Sequence, residues 1–436
     1  MVETLYFKHI DKLRMSSMRQ LKKIAAIGGA ISLALCWPLA VGQIGQNVIK
    51  DGVANLNSDA IKAEVVSYDR GYLSSTVTTR YVVTDPVMAE QLKADGVPAE
   101  IIVNSELSHG LFSLSADSVL ANWSEMPLTL HTVTQLNGNT DFEFKLDTWR
   151  QSTEGEGGAM MLITPSTLKG HMTVLGQVDY QLDVPSIEVD FNSGEKLLID
   201  KVSGQGSGKK VNSFWIGDQV MNIDKFSVTD PEQVTLFGFQ NGEYQYSAEY
   251  AETTQRVASK HKISVGEVKV EQEHLDNLQV DFSFGDLDAV AFEQLVQLYQ
   301  SSPMLTAQEL QQMIPHMDNL FSKGFYLASD NITLNIGQGE FSSQWKLVVP
   351  QGTDNVSQNP MKVMPALQGH FDSFISNDLV EQYPAIKQTI DEGMIMEFVK
   401  QTDKGYQVKA EIKEGNIVFE GGQKVPLMSL FLPFMM

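Results

Sequence analysis

Eight histidines, His9, His109, His131, His171, His261, His274, His316 and His370, are the first side chains to test for chemistry. None pairs with another at metal-ligand spacing, and the sequence holds no HExxH. His131 and His171 fall in strand-like runs, where a hydrogen-bonded structural role is the expectation. The cluster Gly204-Gln-Gly-Ser-Gly-Lys-Lys210 looks like a phosphate loop. It has Ser203 where that loop needs glycine, Lys210 where it needs Ser or Thr, and no helical pattern after it. A flexible hairpin tip is expected there instead. No GxSxG elbow is present. Acidic pairs such as Asp141/Glu143 and Glu188/Asp190 are expected by chance in a chain with 54 carboxylates. The single cysteine, Cys36, leaves no intrachain disulfide and no thiolate zinc site. The expectation is a chain that is not an enzyme, with no catalytic residues, no metal and no cofactor.

Charge narrows the partners. There are 32 basic and 54 acidic residues, a net charge of −22, and a nucleic-acid binder would show the opposite sign on at least one face. No nucleic acid partner is expected. Hydrophobic residues make up 42% and charged residues 20%, which excludes both a disordered chain and a multispan membrane protein.

Nineteen residues from Ile24 to Gly42 carry no charge. As a helix at about 1.5 Å per residue they would match one hydrocarbon core. Lys8, Lys12, Arg14, Arg19, Lys22 and Lys23 precede them, against Glu3 and Asp11, so the positive-inside rule keeps the N-terminus cytoplasmic and exports the rest. Ala40-Val41-Gly42 would suit signal peptidase, and Leu33-Ala34-Leu35-Cys36 approximates a lipobox with the wrong residue at Leu35. The length of the apolar run favours an uncleaved signal anchor over either. Met18-Arg-Gln-Leu-Lys-Lys has the form of a bacterial export opening, so residues 1–17 read as an upstream extension and Met18 as the true start.

The elements that follow divide into an anchor over 18–45, an extended β domain over 46–286 and a helix-containing α+β region over 287–436. The fold class expected is mainly β, an extended, curved and mostly antiparallel sheet behind a single transmembrane helix. In the first strands Val77 and Tyr81 alternate with Thr76, Thr78 and Arg80. Similar runs cover 101–119, 128–136, 141–149, 171–184, 196–202, 220–228 and 278–284. Asn137-Gly138 and Asn241-Gly242 are hairpin-turn signals, because Asn and Gly accept positive φ cheaply. Further on, Leu287, Ala291, Leu295 and Leu298 recur at helical spacing behind Asp286 or Asp288. Thr306-Ala-Gln-Glu309 is a capping box, and Gly324 a helix stop. Ser376 is positioned to cap a further helix interrupted at Pro384, and an apolar tail from Val425 should pack as an edge strand or plug.

Three segments carry a family likeness: Tyr68-Asp-Arg-Gly-Tyr-Leu-Ser-Ser75, Ser108-His-Gly-Leu-Phe112, and the ending from Gly405 to Leu427. With residues 284–295 between them, they resemble the YdgA-like family of bacterial envelope proteins, whose shared region is a domain of unknown function. That resemblance implies an uncleaved inner-membrane anchor and a periplasmic body, and it brings no catalytic residues. Leu111 stands where the family usually has Pro after His-Gly. Tyr68, Arg70, Gly71, His109 and Gly110 are therefore the candidate structural or binding motif. Gly71 could equally form a strand bulge and His109-Gly110 a strand bend. The function expected is a non-enzymatic scaffold or binding module of the envelope. Its partners would be the inner membrane, through the helix from Ile24 to Gly42, and an envelope protein or a second copy of the chain. The alternative is a lipid-binding or lipid-transfer protein that uses an apolar sheet face. Phe142, Phe144, Phe282 and Phe284 permit such a face, and plain core packing explains each of them as well.

Overall fold

Most successive strands pair with the next, and the described pairings are all antiparallel. The computed structural model describes residues 53–430 apart from 55, 59, 71–73, 95, 110–112, 136, 156, 272 and 302–305. The upstream extension, the segment from Ile24 to Gly42 and the end of the apolar tail lie outside these residues. No described helix is long and apolar enough to cross a membrane. The chain divides into two compact units, one ending at Glu195 and one beginning at Lys196, a division that falls inside the 46–286 segment.

The first unit is a meander of β1 (Ile61–Arg70), β2 (Ser74–Val83), β3 (Glu100–His109), β4 (Ser113–Leu120), β5 (Leu128–Gln135), β6 (Thr140–Leu146), β7 (Trp149–Ser152), β8 (Ala159–Ile163), β9 (Ser166–Met172) and β10 (Gln177–Phe191). The runs 101–119 and 171–184, expected as continuous, each fold as two paired strands. β9 and β8 lie end to end along β10 in one register, broken near Pro165, which has no N–H for the ladder. One face is buried across the unit by Ala63, Val77, Tyr81, Val103, Leu107, Leu130, Phe142 and Phe144. Gly170 is there because a Cβ would lie 2.7 Å from the Phe142 ring.

The second unit has longer strands: β11 (Lys196–Val211), β12 (Phe214–Thr229), β13 (Thr235–Ala251), β14 (Arg256–Val270) and β15 (Glu273–Asp288). Helices Ala289–Ser301 and Ala307–Lys323 follow, then β16 (Phe325–Ile336), β17 (Gly339–Val349) and β18 (Gln368–Ser376). Helices Asn377–Gln382 and Pro384–Ile395 lead to β19 (Lys400–Gln401), β20 (Gly405–Lys413), β21 (Asn416–Phe419) and β22 (Lys424–Pro426). Leu427, the start of the apolar tail, is buried against Val349 and Leu367.

Two turn expectations are corrected here. The Gly204–Lys210 cluster lies within β11, and the β11–β12 turn comes later, at Asn212 with φ 54°. Gly208 has to be glycine because a Cβ would sit 2.7 Å from the Trp215 ring. Asn241-Gly242 lies in the middle of β13, where Asn241 uses its positive φ of 54° inside a strand. Lys201 in β11 and Asn277 in β15 do the same, at φ 50° and 53°. The ladders place Lys201, Asp224, Asn241, Gly266 and Asn277 in one cross-strand line, each skipped between bonded neighbours.

That line reverses the in–out alternation of all five strands together. A Cβ on Gly242 would lie 2.7 Å from the Phe239 ring, so residues 239 and 242, of opposite parity, share a face. Regular pleating would have put them on opposite faces.

The capping box forms as read: Thr306 N–H donates to Glu309 Oε2 (2.7 Å) and Glu309 N–H to Thr306 Oγ1 (3.3 Å). Of the two carboxylates at the other helix start, Asp288 is the cap, accepting from Ala291 N–H at 2.9 Å, while Asp286 stays in the strand. Asp288 is only 1% exposed and is paired with Lys323, which ties the first helix to the end of the second.

Two measurements check this account by urea unfolding. Asn241→Val should cost about 1–2 kcal/mol through strain at positive φ, while Asn241→Gly is close to neutral. Lys323→Met should cost roughly 2–3 kcal/mol, more than a half-exposed lysine normally would, because it leaves the buried Asp288 carboxylate unpaired.

Candidate functional site: an uncharged sheet face

The candidate motif residues sit in the first unit. Tyr68 is half-buried opposite Val77 and packs against the core, and Arg70 is exposed opposite Ser75. His109 ends β3 opposite Leu114, and Ser108 pairs with Ser74. The two motif segments therefore end beside the same end of β2. Gly71 and Gly110 lie outside the described residues, and the bulge of β1 falls between Val65 and Ser67. Among the described residues no group of three or more His, Asp or Glu side chains is placed to hold a metal.

Of the aromatic residues noted in the sequence, Phe142 and Phe144 are buried in the first unit's core, whereas Phe282 and Phe284 belong to the second unit's sheet. There the cross-strand register builds a different surface. One row reads Gly206, Gln219, Tyr246, His261, Phe282, Ser329, Trp345, Phe371 and Ala410. The next reads Gly204, Met221, Tyr244, Ile263, Val280, Ile332, Ser343, Ser373 and Val408. Val202, Ile223, Gly242, Val265 and Leu278 follow. Beyond the reversal line, Ile199, Phe226, Phe239, Val268 and Leu275 continue it. These rows contain no Asp, Glu, Lys or Arg. The opposite face carries rows such as Ser207, Asp218, Ser247, Lys260, Ser283, Ala328, Lys346, His370 and Glu411.

Over the five long strands, cover on the uncharged face lies at one end, while farther across the sheet the helix Asn377–Gln382 packs Leu379 against Gly339 of β17. Ala248 and Ser259 are 6% and 4% exposed near the helices that bury Leu287, Ala289 and Leu320. Farther along, Ile263 keeps 41% exposure and Val270 42%. Over the five long strands this leaves a patch on the order of 600 Å², from strand spacings of about 4.8 Å and rises of about 3.3 Å. Rings line it: Phe226 stacks on Phe239 at 5.3 Å, His261 meets Tyr246 at 5.2 Å and Phe284 at 5.5 Å, and Phe282 meets Trp345 at 6.2 Å.

Several polar groups within this face are bonded within the protein itself. His261 Nδ1 lies 2.7 Å from the Tyr244 hydroxyl and Nε2 lies 2.9 Å from Ser259 Oγ. Tyr246 donates to Trp215 O, Ser329 to Asp281 O, and Ser343 pairs with Ser373. Burial pushes the His261 pKa below its ordinary value and those of Tyr244 and Tyr246 above theirs, so all three are neutral at neutral pH. On the polar face a recess of about 630 Å³ holds Lys196, Lys225, Lys269 and His274. Its cations are offset by Glu267, which bonds His274, and by Asp200 opposite Lys225. Its lining still keeps an excess of cations.

Sequence reading missed this face because strict alternation puts Phe237 and Phe239 on one side and Tyr244 and Tyr246 on the other. The available signal was the same parity change in five consecutive strands.

The depressed His261 pKa sets a pH dependence. As pH falls below the ordinary value of 6.5, the unfolded chain takes up a proton that the folded chain does not. Its contribution is therefore lost as pH falls through the folded pKa. His261→Phe, which keeps a ring at the site, should lose less stability than the parent between pH 7 and pH 5, measured by urea midpoints at both values.

The chain matches no curated protein and no solved structure. The family model for a bacterial protein of unknown function, DUF945, matches residues 21–428. With that span, and with this amphipathic antiparallel body, the chain belongs to the DUF945 family of bacterial proteins.

Proposed function

We propose that this protein is a non-enzymatic bacterial envelope protein whose second unit holds an amphiphile by its hydrocarbon on the uncharged sheet face. One observation carries the choice of hydrocarbon over a protein partner. A protein interface exchanges about one hydrogen bond per 100–200 Å². The polar groups of His261, Tyr244, Tyr246, Ser329 and Ser343 are already bonded within the chain. A hydrocarbon asks for no hydrogen bonds and gains from apolar contact over these partly exposed rows.

The envelope setting is supported by the apolar segment from Ile24 to Gly42 behind its basic flank and by the likeness to YdgA-like proteins. In this reading the segment is an anchor in the inner membrane and the body is periplasmic.

The test is native mass spectrometry of the full chain extracted in mild detergent with no lipid added. Lipid should co-purify, and Ile263→Asp should reduce the lipid-bound fraction at least about tenfold, since it puts a charge under the hydrocarbon. Ile263→Val should retain lipid, and matched circular dichroism shows that both variants fold. A stoichiometric protein partner without lipid would return the reading to a scaffold. Turnover of a substrate lost on one point mutation would defeat both.

A further inference from the structure

The geometry points to a selectivity of this site: it admits amphiphiles with a neutral or zwitterionic headgroup and rejects those whose headgroup carries net negative charge. This rests on the hydrocarbon-binding reading above and adds which lipids the face takes and in which direction they lie.

Direction comes from the cover. At the end marked by Ala248 and Ser259 the helices close the face, so a headgroup has no room there. At the other end β12 and β13 are joined by a turn from Asp230 to Val234, and β14 and β15 end at Val270 and Glu273, with Val270 still 42% exposed. From Ile263 to Val270 the face runs about 25 Å at about 3.3 Å per residue. A lipid tail in a bilayer occupies about half of a ~30 Å core. A tail fits along the strands with its methyl end toward the helices and its headgroup at the other end.

Charge at that end sets the headgroup. It carries Asp230, Glu232, Glu271 and Glu273. Glu273 is in register with Val270, and Val270 with Phe237, so a carboxylate ends the apolar row itself. Asp230 Oδ1 accepts from the N–H groups of Glu232 and Val234, and Glu273 accepts from the Tyr383 hydroxyl, which holds both carboxylates in place. The neighbouring cations Lys196, Lys225, Lys269 and His274 alternate along their strands with Leu197, Phe226, Val268 and Leu275 of the apolar rows, so their side chains leave the sheet on its other face. No cation in the four uncharged rows could offset a phosphate or carboxylate drawn onto the face, and burying one unpaired is costly. The exposed Lys201, in the reversal line, is paired with Asp224 at 3.0 Å.

The experiment is displacement of a fluorescent acyl-chain probe from the full-length protein in nonionic detergent. Three lipids with identical dipalmitoyl chains compete: diacylglycerol, phosphatidylethanolamine and phosphatidylglycerol. The first two should displace the probe at least about fivefold more strongly than the third, the scale of a few partly screened like charges. That ratio should shrink in 0.5 M salt, on the order of a 4 Å Debye length. Glu232→Gln combined with Glu271→Gln, both on turns, should narrow it while leaving diacylglycerol unchanged. Equal displacement by all three, or stronger displacement by phosphatidylglycerol, overturns the selectivity and leaves the face as a hydrocarbon site. If no lipid displaces the probe and the probe itself does not bind, the underlying reading falls and the selectivity with it.

Discussion

A polypeptide that is apolar on one face of a long sheet must keep its side chains in phase with the pleat, and a single extra residue turns the rest of a strand over. In the second unit the apolar positions change parity in the middle of β11, β12, β13, β14 and β15. The backbone answers with the line of Lys201, Asp224, Asn241, Gly266 and Asn277, where three residues take positive φ and the ladder skips one pair per strand. Because every strand makes the adjustment in the same place, register is kept on both sides of the line. Residues 226 and 239 can then stack on the face that also carries 244 and 263. A lone bulge in one strand would have broken its alignment with both neighbours.

The two units use sheet faces in opposite ways. In the first, Leu107, Thr132, Thr134, Thr140 and Trp149 are almost inaccessible, and buried hydroxyls pair across strands, as in Ser105 with Ser118 and Thr134 with Thr140. In the second, the aromatic residues of the middle rows stay half-exposed while the helices Ala289–Ser301 and Ala307–Lys323 seal one end. Asp288 joins strand to helix there, capping one helix while its other oxygen holds Lys323 of the next. The seal is thus fixed by a short ion pair whose carboxylate is buried. The middle of the sheet has no comparable contact.

Much of the local structure was readable in advance because its causes are local. Thr306 and Glu309 bracket a helix start whatever surrounds them, and Ser376 caps its helix through Leu379 N–H. Asn241-Gly242 was misread because positive φ identifies a backbone conformation, and a turn and an in-strand reversal use the same one. The glycines at 204, 206 and 208 were misread for a related reason. Gly208 clears space for the Trp215 ring, which is brought close only by the pairing of β11 with β12.

The sequence by itself determined that the body is antiparallel β, that most of its helices fall in the last third although Pro86–Ala94 adds one earlier, and that no recognisable catalytic or phosphate-binding motif is present. Those conclusions rest on periodicity, capping residues and spacing, which act over a few neighbours. Only the tertiary structure decided where the apolar side chains of the long strands would gather. Whether Phe282 is core or surface depends on what covers it, and His261 becomes a neutral, internally bonded ring only once Tyr244 and Ser259 are brought beside it. Cover and cross-strand register are properties of the assembled sheet, and no single strand contains them.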